Sequence, residues 1–357
     1  MERILNHRLA NQGLYPAKFQ TAAECVAALG AIQGQDYAGA KWSLGLRIPC
    51  SSDKDIEEAI AHQTIVRTWA MRGTLHIVAA ADLHWLLALL GPRIIATNKR
   101  RYGQLELDEA TLARADNILV EALQDGRSLN RDALRTTIED EGISTAGQRM
   151  VYMLQHASLN NLICQETAPK NKPLFTLTPQ PSQPGRLLDR QEALAELALR
   201  YFTSRGPAAL DDFVWWSGLL VADAWAGLEA VKPRLVNEKE GDIDYWRPET
   251  ASSQTQSHPE IMLLPGFDEY LVGYRDRSAV IAGEHYPAWS RTNAMFSPTI
   301  LLRGQVKGLW KRQIKKDSVT ITPELFVELT AEEAAALEIA AKEYGRFLGK
   351  SAKLHQD

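Results

Sequence analysis

A pattern of amphipathic helices followed by a two-stranded ribbon recurs along this chain, and it narrows the folds open to it. The clearest copy runs from Leu107 to Leu177. Leu112, Ala115, Ile118, Leu119, Ala122 and Leu123 mark one face of a first helix, which Asp125-Gly126-Arg127 ends. Ser128-Leu129-Asn130 caps a second helix through Ile138, closed by Glu141-Gly142-Ile143. Ser144 or Thr145 opens a third, with Met150, Met153, Leu154, Ala157 and Leu159 inward. Leu162-Ile163-Cys164 and Leu174-Phe175-Thr176-Leu177 then read as strands around a polar tip, Ala168 to Pro173. Three helices and a ribbon describe a winged helix. Scaffolding or dimerisation is the plain use of such a module, and duplex recognition by the third helix and wing is the sharper one. The third helix, Gln148 to Asn161, carries Arg149 as its one Lys or Arg, so the modules read better as channel walls than as separate groove readers.

Two further copies flank this one. After Pro179-Gln180-Pro181-Ser182-Gln183-Pro184-Gly185, a linker by its Pro and Gly content, come helices Arg190–Ser204, Leu210–Trp216 and Val221–Val231. Leu235-Val236 and Ile243 to Trp246 form their ribbon. A weaker copy opens the chain, with helices Ala22–Ile32 and Asp53–His62 and a ribbon of Ile65–Trp69 with Thr74–Val78; Trp42 to Leu46 lies between. Beyond His258 the pattern changes to short β-like runs: Ile261–Leu264, Ala279–Ile281, Thr299–Leu302, Gln305–Trp310 and Ser318–Ile321. Arg303-Gly304 is a hairpin turn candidate, and Ala331–Leu348 a closing helix. The expected fold class is α+β, with tandem winged helix-turn-helix modules and a C-terminal β-rich unit. The expected domains are residues 1–105, 106–180, 186–250 and 258–357.

Composition removes several function classes. With 45% hydrophobic and 24% charged residues, the chain is an ordinary soluble globular one. The apolar run Ile77–Leu90 is interrupted by Asp82 and His84 and is too short to span a bilayer, so no membrane partner is expected. Cys25, Cys50 and Cys164 are odd in number and scattered, which argues against disulfides and zinc and for a cytoplasmic setting. There is no P-loop, dinucleotide fingerprint or nucleophile elbow, so neither cofactor nor metal is expected. A net charge of −4 confines any nucleic-acid contact to local patches.

Four segments carry possible chemistry. Gln33-Gly34-Gln35-Asp36 follows the first apolar helix; carboxamides do not titrate and suit the orientation of water. The ribbon segment Arg67-Thr68-Trp69-Ala70-Met71-Arg72-Gly73-Thr74-Leu75-His76 sets Arg72 at a tip, with Arg67 and His76 on its strands. Leu264 to Ser278 concentrates Asp268, Glu269, Arg275 and Arg277. Asp268 and Glu269 suit either a general-base role or the capping of the helix that follows. Arg275 and Arg277 could pair with Asp276 or with phosphates. Basic concentrations occur at Lys99-Arg100-Arg101-Tyr102 and at Arg303, Lys307, Lys311, Arg312, Lys315 and Lys316 with Trp310 interleaved. Either could be a solvated face or a phosphate patch.

Taken together, Leu29 to Asp36, Val66 to His76, Leu263 to Ser278 and Thr299 to Trp310 resemble the winged-helix DNA glycosylases of the AlkZ/YcaQ type, in the same order and over most of the chain. The resemblance implies tandem winged helices, C-shaped around a concave face that takes double-stranded DNA with alkylated purines or crosslinks. It implies excision of N-alkylated purines, and in some members unhooking of interstrand crosslinks, without metal or cofactor. The family's motif is Gln-hydrophobic-Gln or Gln-hydrophobic-Asp, which makes Gln33 and Gln35 the expected catalytic pair, with Gly34 where the family carries an apolar side chain. Asp36, His76, Asp268 and Glu269 are further active-site candidates. Arg67, Arg72, Arg100, Arg101, Arg275, Arg277, Lys311, Arg312, Lys315 and Lys316 are candidate DNA contacts. The alternative is a non-catalytic winged-helix DNA-binding protein, a regulator or damage sensor.

Overall fold

The computed structural model describes residues 2–166, 173–179, 188–249, 261–281, 283 and 296–355. Most of the polar tip after Cys164 and most of the linker that starts at Pro179 lie outside the described residues. The chain divides into two compact units: Glu57–Leu194, and Met1–Ile56 together with Ala195–Asp357. The fold is α+β.

In the unit Glu57–Leu194, the predicted inner faces do pack together. Leu112, Ala115, Leu119, Leu134, Ile138, Met150, Met153 and Ala157 form one buried cluster beneath helices Glu109–Ala122, Arg131–Asp140 and Arg149–Leu159. Asn130 caps the second of these by accepting from the Ala133 amide at 2.9 Å. The third begins at Arg149 rather than at Ser144 or Thr145. Residues 146–148 form a turn in which Gly147 takes a φ of 62°, so the helix start is set by a glycine and not by the hydroxyl residues before it. Arg149 is spent on the carbonyls of Leu105, Glu106 and Ser144. Five strands follow the order Leu75–Ala79, Ile65–Trp69, Ile163–Glu166, Leu174–Leu177, Leu129–Asn130, every neighbour antiparallel.

Helix Leu83–Gln104 crosses this unit at close range. A Cβ on Gly91 would sit 2.5 Å from the Leu159 carbonyl oxygen, whereas one on Gly103 would meet nothing within 4 Å. Gly91→Ala must push two backbones apart, at an expected cost of about 1–3 kcal/mol. Gly103→Ala in the same helix should instead gain about 0.5–1 kcal/mol. Urea unfolding of the two variants should therefore shift in opposite directions.

In the other unit, helix Ala22–Leu29 stops at Gly30, whose φ of 78° only glycine takes without strain. The sequence suggested a helix through Ile32. The helix ends further upstream, and Ile32–Gln33 is extended. The apolar residues Ala31 and Ile32 are buried in the extended backbone as fully as a helix would bury them, which is why periodicity misplaced the end. Trp42 to Gly45 belongs to helix Tyr37–Gly45.

The C-terminal sheet has the order Ser351–Leu354, Ser318–Leu325, Gln305–Ile314, Thr299–Leu302, Ile261–Leu264. Arg303 and Gly304, at φ of 47° and 79°, close a two-residue hairpin with Leu302 opposite Gln305. Ala279–Ile281 is a turn and not a strand. Val280 and Ile281 are buried against Leu5, Leu9 and Leu271, so an apolar run of this length marks a buried loop as readily as a strand. Trp310 is not a surface aromatic among cations: it is buried, and its indole N–H donates to the Leu264 carbonyl at 2.8 Å. Helix Ala331–Phe347 starts at a capping box of Thr330 and Glu333.

No helix among the described residues is long and apolar enough to cross a membrane. Burial pushes the Cys25 and Cys164 thiols up to about 12, whereas Cys50 is exposed. At mildly alkaline pH a thiol reagent should therefore label one cysteine in the folded chain and all three after denaturation.

Candidate functional site

The strand Ile261–Leu264 is the base on which the site is built. Two indoles bond its end from different elements: Trp42, on helix Tyr37–Gly45, donates to the Leu263 carbonyl at 2.7 Å, and Trp310 donates to that of Leu264. Trp42 and Trp310 both pack edgewise on Tyr344, at 5.0 and 5.2 Å between ring centres. This fixes helix Tyr37–Gly45, and with it the residues just before it, against the C-terminal sheet. The chain leaving the strand turns at Pro265-Gly266-Phe267, where Phe267 takes a φ of 63°. Asp268 then caps helix Glu269–Val272 by accepting from the Tyr270 amide at 2.9 Å.

Asp268 and Glu269 are both buried, and each meets an arginine that is itself buried. Arg47 grips Asp268 through two bonds of 2.9 Å, and the Ser43 hydroxyl adds a third at 2.7 Å. Burial alone disfavours both charges, but pairing prevails. It holds the Asp268 carboxyl below its ordinary range and the Arg47 guanidinium above its own. Asp268 is thus a fixed anion with its lone pairs occupied, a poor general base.

Glu269 reaches the glutamine motif directly. Its Oε1 accepts the Gln33 backbone N–H at 2.8 Å, while Oε2 accepts from Arg205 at 2.5 Å and from the Trp216 indole at 2.9 Å. Arg205 also donates to the carbonyls of Leu29 at 2.7 Å and Ala31 at 3.3 Å, and stacks over Trp216 at 4.2 Å. One guanidinium and one carboxylate therefore hold Leu29 to Gln33 at three backbone atoms. The two ion pairs are joined through Gln12, which accepts from Arg47 and donates to the Tyr274 hydroxyl; that hydroxyl donates to the Arg205 carbonyl.

The two glutamines of the motif differ. Gln33 is buried, and its Oε1 accepts the Gln35 backbone N–H at 2.6 Å, which orients the carboxamide. Gln35 is exposed. Asp36 precedes helix Tyr37–Gly45 without capping it; its carboxylate lies 3.4 Å from Arg312, which also donates to the Tyr344 hydroxyl at 2.9 Å. Gly39 allows that placement, because a Cβ there would come within 2.5 Å of Asp36 Oδ2.

The structure thus brings Gln33, Gln35, Asp36, Asp268, Glu269 and Arg312 into one neighbourhood. Lys311, Lys315 and Lys316 lie exposed along and just beyond the strand that carries Arg312. Arg275 is paired with Asp211 at 2.6 Å, and Arg277 donates to the Leu271 carbonyl at 2.9 Å. The remaining candidates belong to the unit Glu57–Leu194. His76 is buried, with Nδ1 at 3.0 Å from the Thr74 carbonyl. Arg67 donates to Gln165 at 2.6 Å, and Arg72 sits at the ribbon tip with a φ of 55°. Arg100 is exposed, while Arg101 donates to Gln104 and Gln148. Sequence reasoning missed Arg47, Arg205, Trp216 and Gln12. The one local hint was Ser43 four residues before Arg47, about one turn of chain apart where helix Tyr37–Gly45 runs out.

Three comparisons bear on this arrangement. A family model described as DNA glycosylase AlkZ-like matches residues 26–347. The interstrand DNA cross-link repair glycosylase of Streptomyces sahachiroi is 26% identical over 377 aligned positions, covering 98% of this chain and 96% of that protein. The solved structure of Streptomyces sahachiroi DNA glycosylase AlkZ superimposes with a TM-score of 0.78 at 22% identity, over 99% of each chain, and so shares the fold.

Proposed function

The chain belongs to the AlkZ-like family of DNA glycosylases, and we propose that it hydrolyses the N-glycosidic bond of N7-alkylated purines in duplex DNA and unhooks interstrand crosslinks made at that position. The Streptomyces sahachiroi relative, named for cross-link repair, supports the second part. One observation carries the site assignment. A motif of two carboxamides is clamped from beneath by a buried carboxylate and guanidinium, so that Gln35 is presented outward from a rigid backbone.

The chemistry suits these groups. Alkylation at N7 leaves the purine cationic, so the base departs from the sugar with no general acid. The enzyme has to stabilise an oxocarbenium-like sugar and aim a water at its anomeric carbon. Fixed amide dipoles do this without reorganising during the reaction. We assign Gln35 to the water and the sugar, and Gln33 to the orientation of Gln35 through its backbone N–H. Asp36, held beside Arg312, adds negative charge near the developing cation. Cations at Arg312, Lys311, Lys315 and Lys316 supply phosphate contacts, and the unit Glu57–Leu194, through Arg72 and Arg100, supplies the remaining duplex contact.

A duplex with a single 7-methylguanine, incubated with the chain and then treated with alkali, should break at the lesion. Intact strands with salt-sensitive duplex binding retained would assign a non-catalytic DNA binder instead.

A further inference from the structure

We propose that the hollow between helix Val221–Val231 and the hairpin of Leu235–Glu240 with Ile243–Pro248 docks a basic, apolar-bearing segment of a partner protein. The hollow measures about 620 Å³ and is walled by Trp225, Leu228, Ile243, Tyr245 and Trp246. Its aromatic faces already hold a cation: the Lys232 ammonium lies 4.5 Å from the ring centre of Trp225 and 5.2 Å from that of Trp246. A guest guanidinium would take these faces by displacing the Lys232 ammonium, which keeps its ion pair with Glu229.

Part of the rim charge is unspent. Asp211 is neutralised by Arg275, and Asp212 accepts the backbone N–H groups of Ala209, Arg275 and Asp276. Asp242 and Asp244, exposed at the hairpin tip, have no ion pair among the described residues. Free carboxylates above an aromatic floor complement a cationic guest.

A polypeptide fits better than a small cation. Val221, Trp225 and Lys232 share one helical face, and Val221 and Trp225 are 61% and 50% exposed, with Leu220 at 51% beside them. An apolar strip that runs on past the hollow is more than a lone cation needs. Nucleic acid suits the face poorly. In a winged helix, the last helix and the ribbon are the elements offered to DNA. Here residues 210–248, helices and ribbon together, contain eight Asp or Glu against four Lys or Arg, so a phosphate would meet net repulsion. The proposal does not depend on the glycosylase reading.

The test uses the full chain and a fluorescent peptide, acetyl-Arg-Leu-Lys-Leu-Arg-amide, with acetyl-Glu-Leu-Glu-Leu-Glu-amide as its opposite. The basic peptide should bind in the range of roughly 10–100 μM and the acidic one not at all. Asp242→Asn with Asp244→Asn, and separately Trp225→Ala, should each weaken binding about tenfold. Duplex affinity and base release should remain unchanged, which also reports that the variants are folded. Failure of the basic peptide to bind at millimolar concentration, or binding indifferent to these substitutions, overturns the proposal. So does a loss of duplex affinity in Trp225→Ala, which would make the face a DNA contact.

Discussion

Gln35→Ala is expected to slow release of 7-methylguanine about 100- to 1000-fold, the loss that follows removal of one preorganised dipole at a developing charge. Gln35 is exposed and its side chain supports no packing, so the midpoint of thermal unfolding should stay within a degree or two of the parent. Gln33→Ala should slow release comparably by a different route. It removes the acceptor that holds the Gln35 backbone N–H, and it leaves a hole in a buried site, so some stability goes with it. Duplex affinity should change little in either variant. Single-turnover assays on the 7-methylguanine duplex, beside thermal melts and binding titrations, separate these outcomes. A Gln35→Ala chain that releases the base at the parental rate would remove the motif from the chemistry.

Asp268→Asn is expected to destabilise the fold by about 3–5 kcal/mol at neutral pH, because it leaves the Arg47 guanidinium buried without its counter-ion. The effect carries a pH signature. The Asp268 carboxyl titrates below its ordinary value of 3.8 when folded, so its stabilisation is complete above that value and is lost as pH falls through the lower folded one. The gap between parent and Asp268→Asn should therefore be constant from neutral pH down to about pH 5 and close in stronger acid. Replacing both partners, Arg47→Met with Asp268→Leu, should recover much of the loss, since a buried pair contributes little net stability over apolar side chains of similar size. Urea titrations across the acid range measure all three. A gap that widened towards acid would mean that Asp268 is protonated in the folded chain.

The helical faces of Glu109–Ala122 and Arg149–Leu159, the Asn130 cap and the Arg303-Gly304 turn were legible in the sequence because each depends on residues a few positions apart. A 3.6-residue period, a side-chain oxygen three residues from an N–H, and a backbone angle that glycine tolerates are local quantities. The glutamine motif was legible in the same way, as residue types in order. Short apolar runs were not. Ile32 proved extended and Ala279–Ile281 a turn, since burial alone imposes no period on three or four residues.

What the motif rests on could only be decided by tertiary structure. Glu269 meets the Gln33 amide from 236 positions away, Arg47 meets Asp268 across 221, and Arg205 meets Glu269 across 64. Within the sequence, Asp268 and Glu269 are one acidic dipeptide, equally suited to surface, cap or catalysis. Burial beside two arginines made them the fixed counter-charges beneath the motif. A carboxylate's role depends on its solvent and its nearest opposite charge, and neither exists until distant segments have packed.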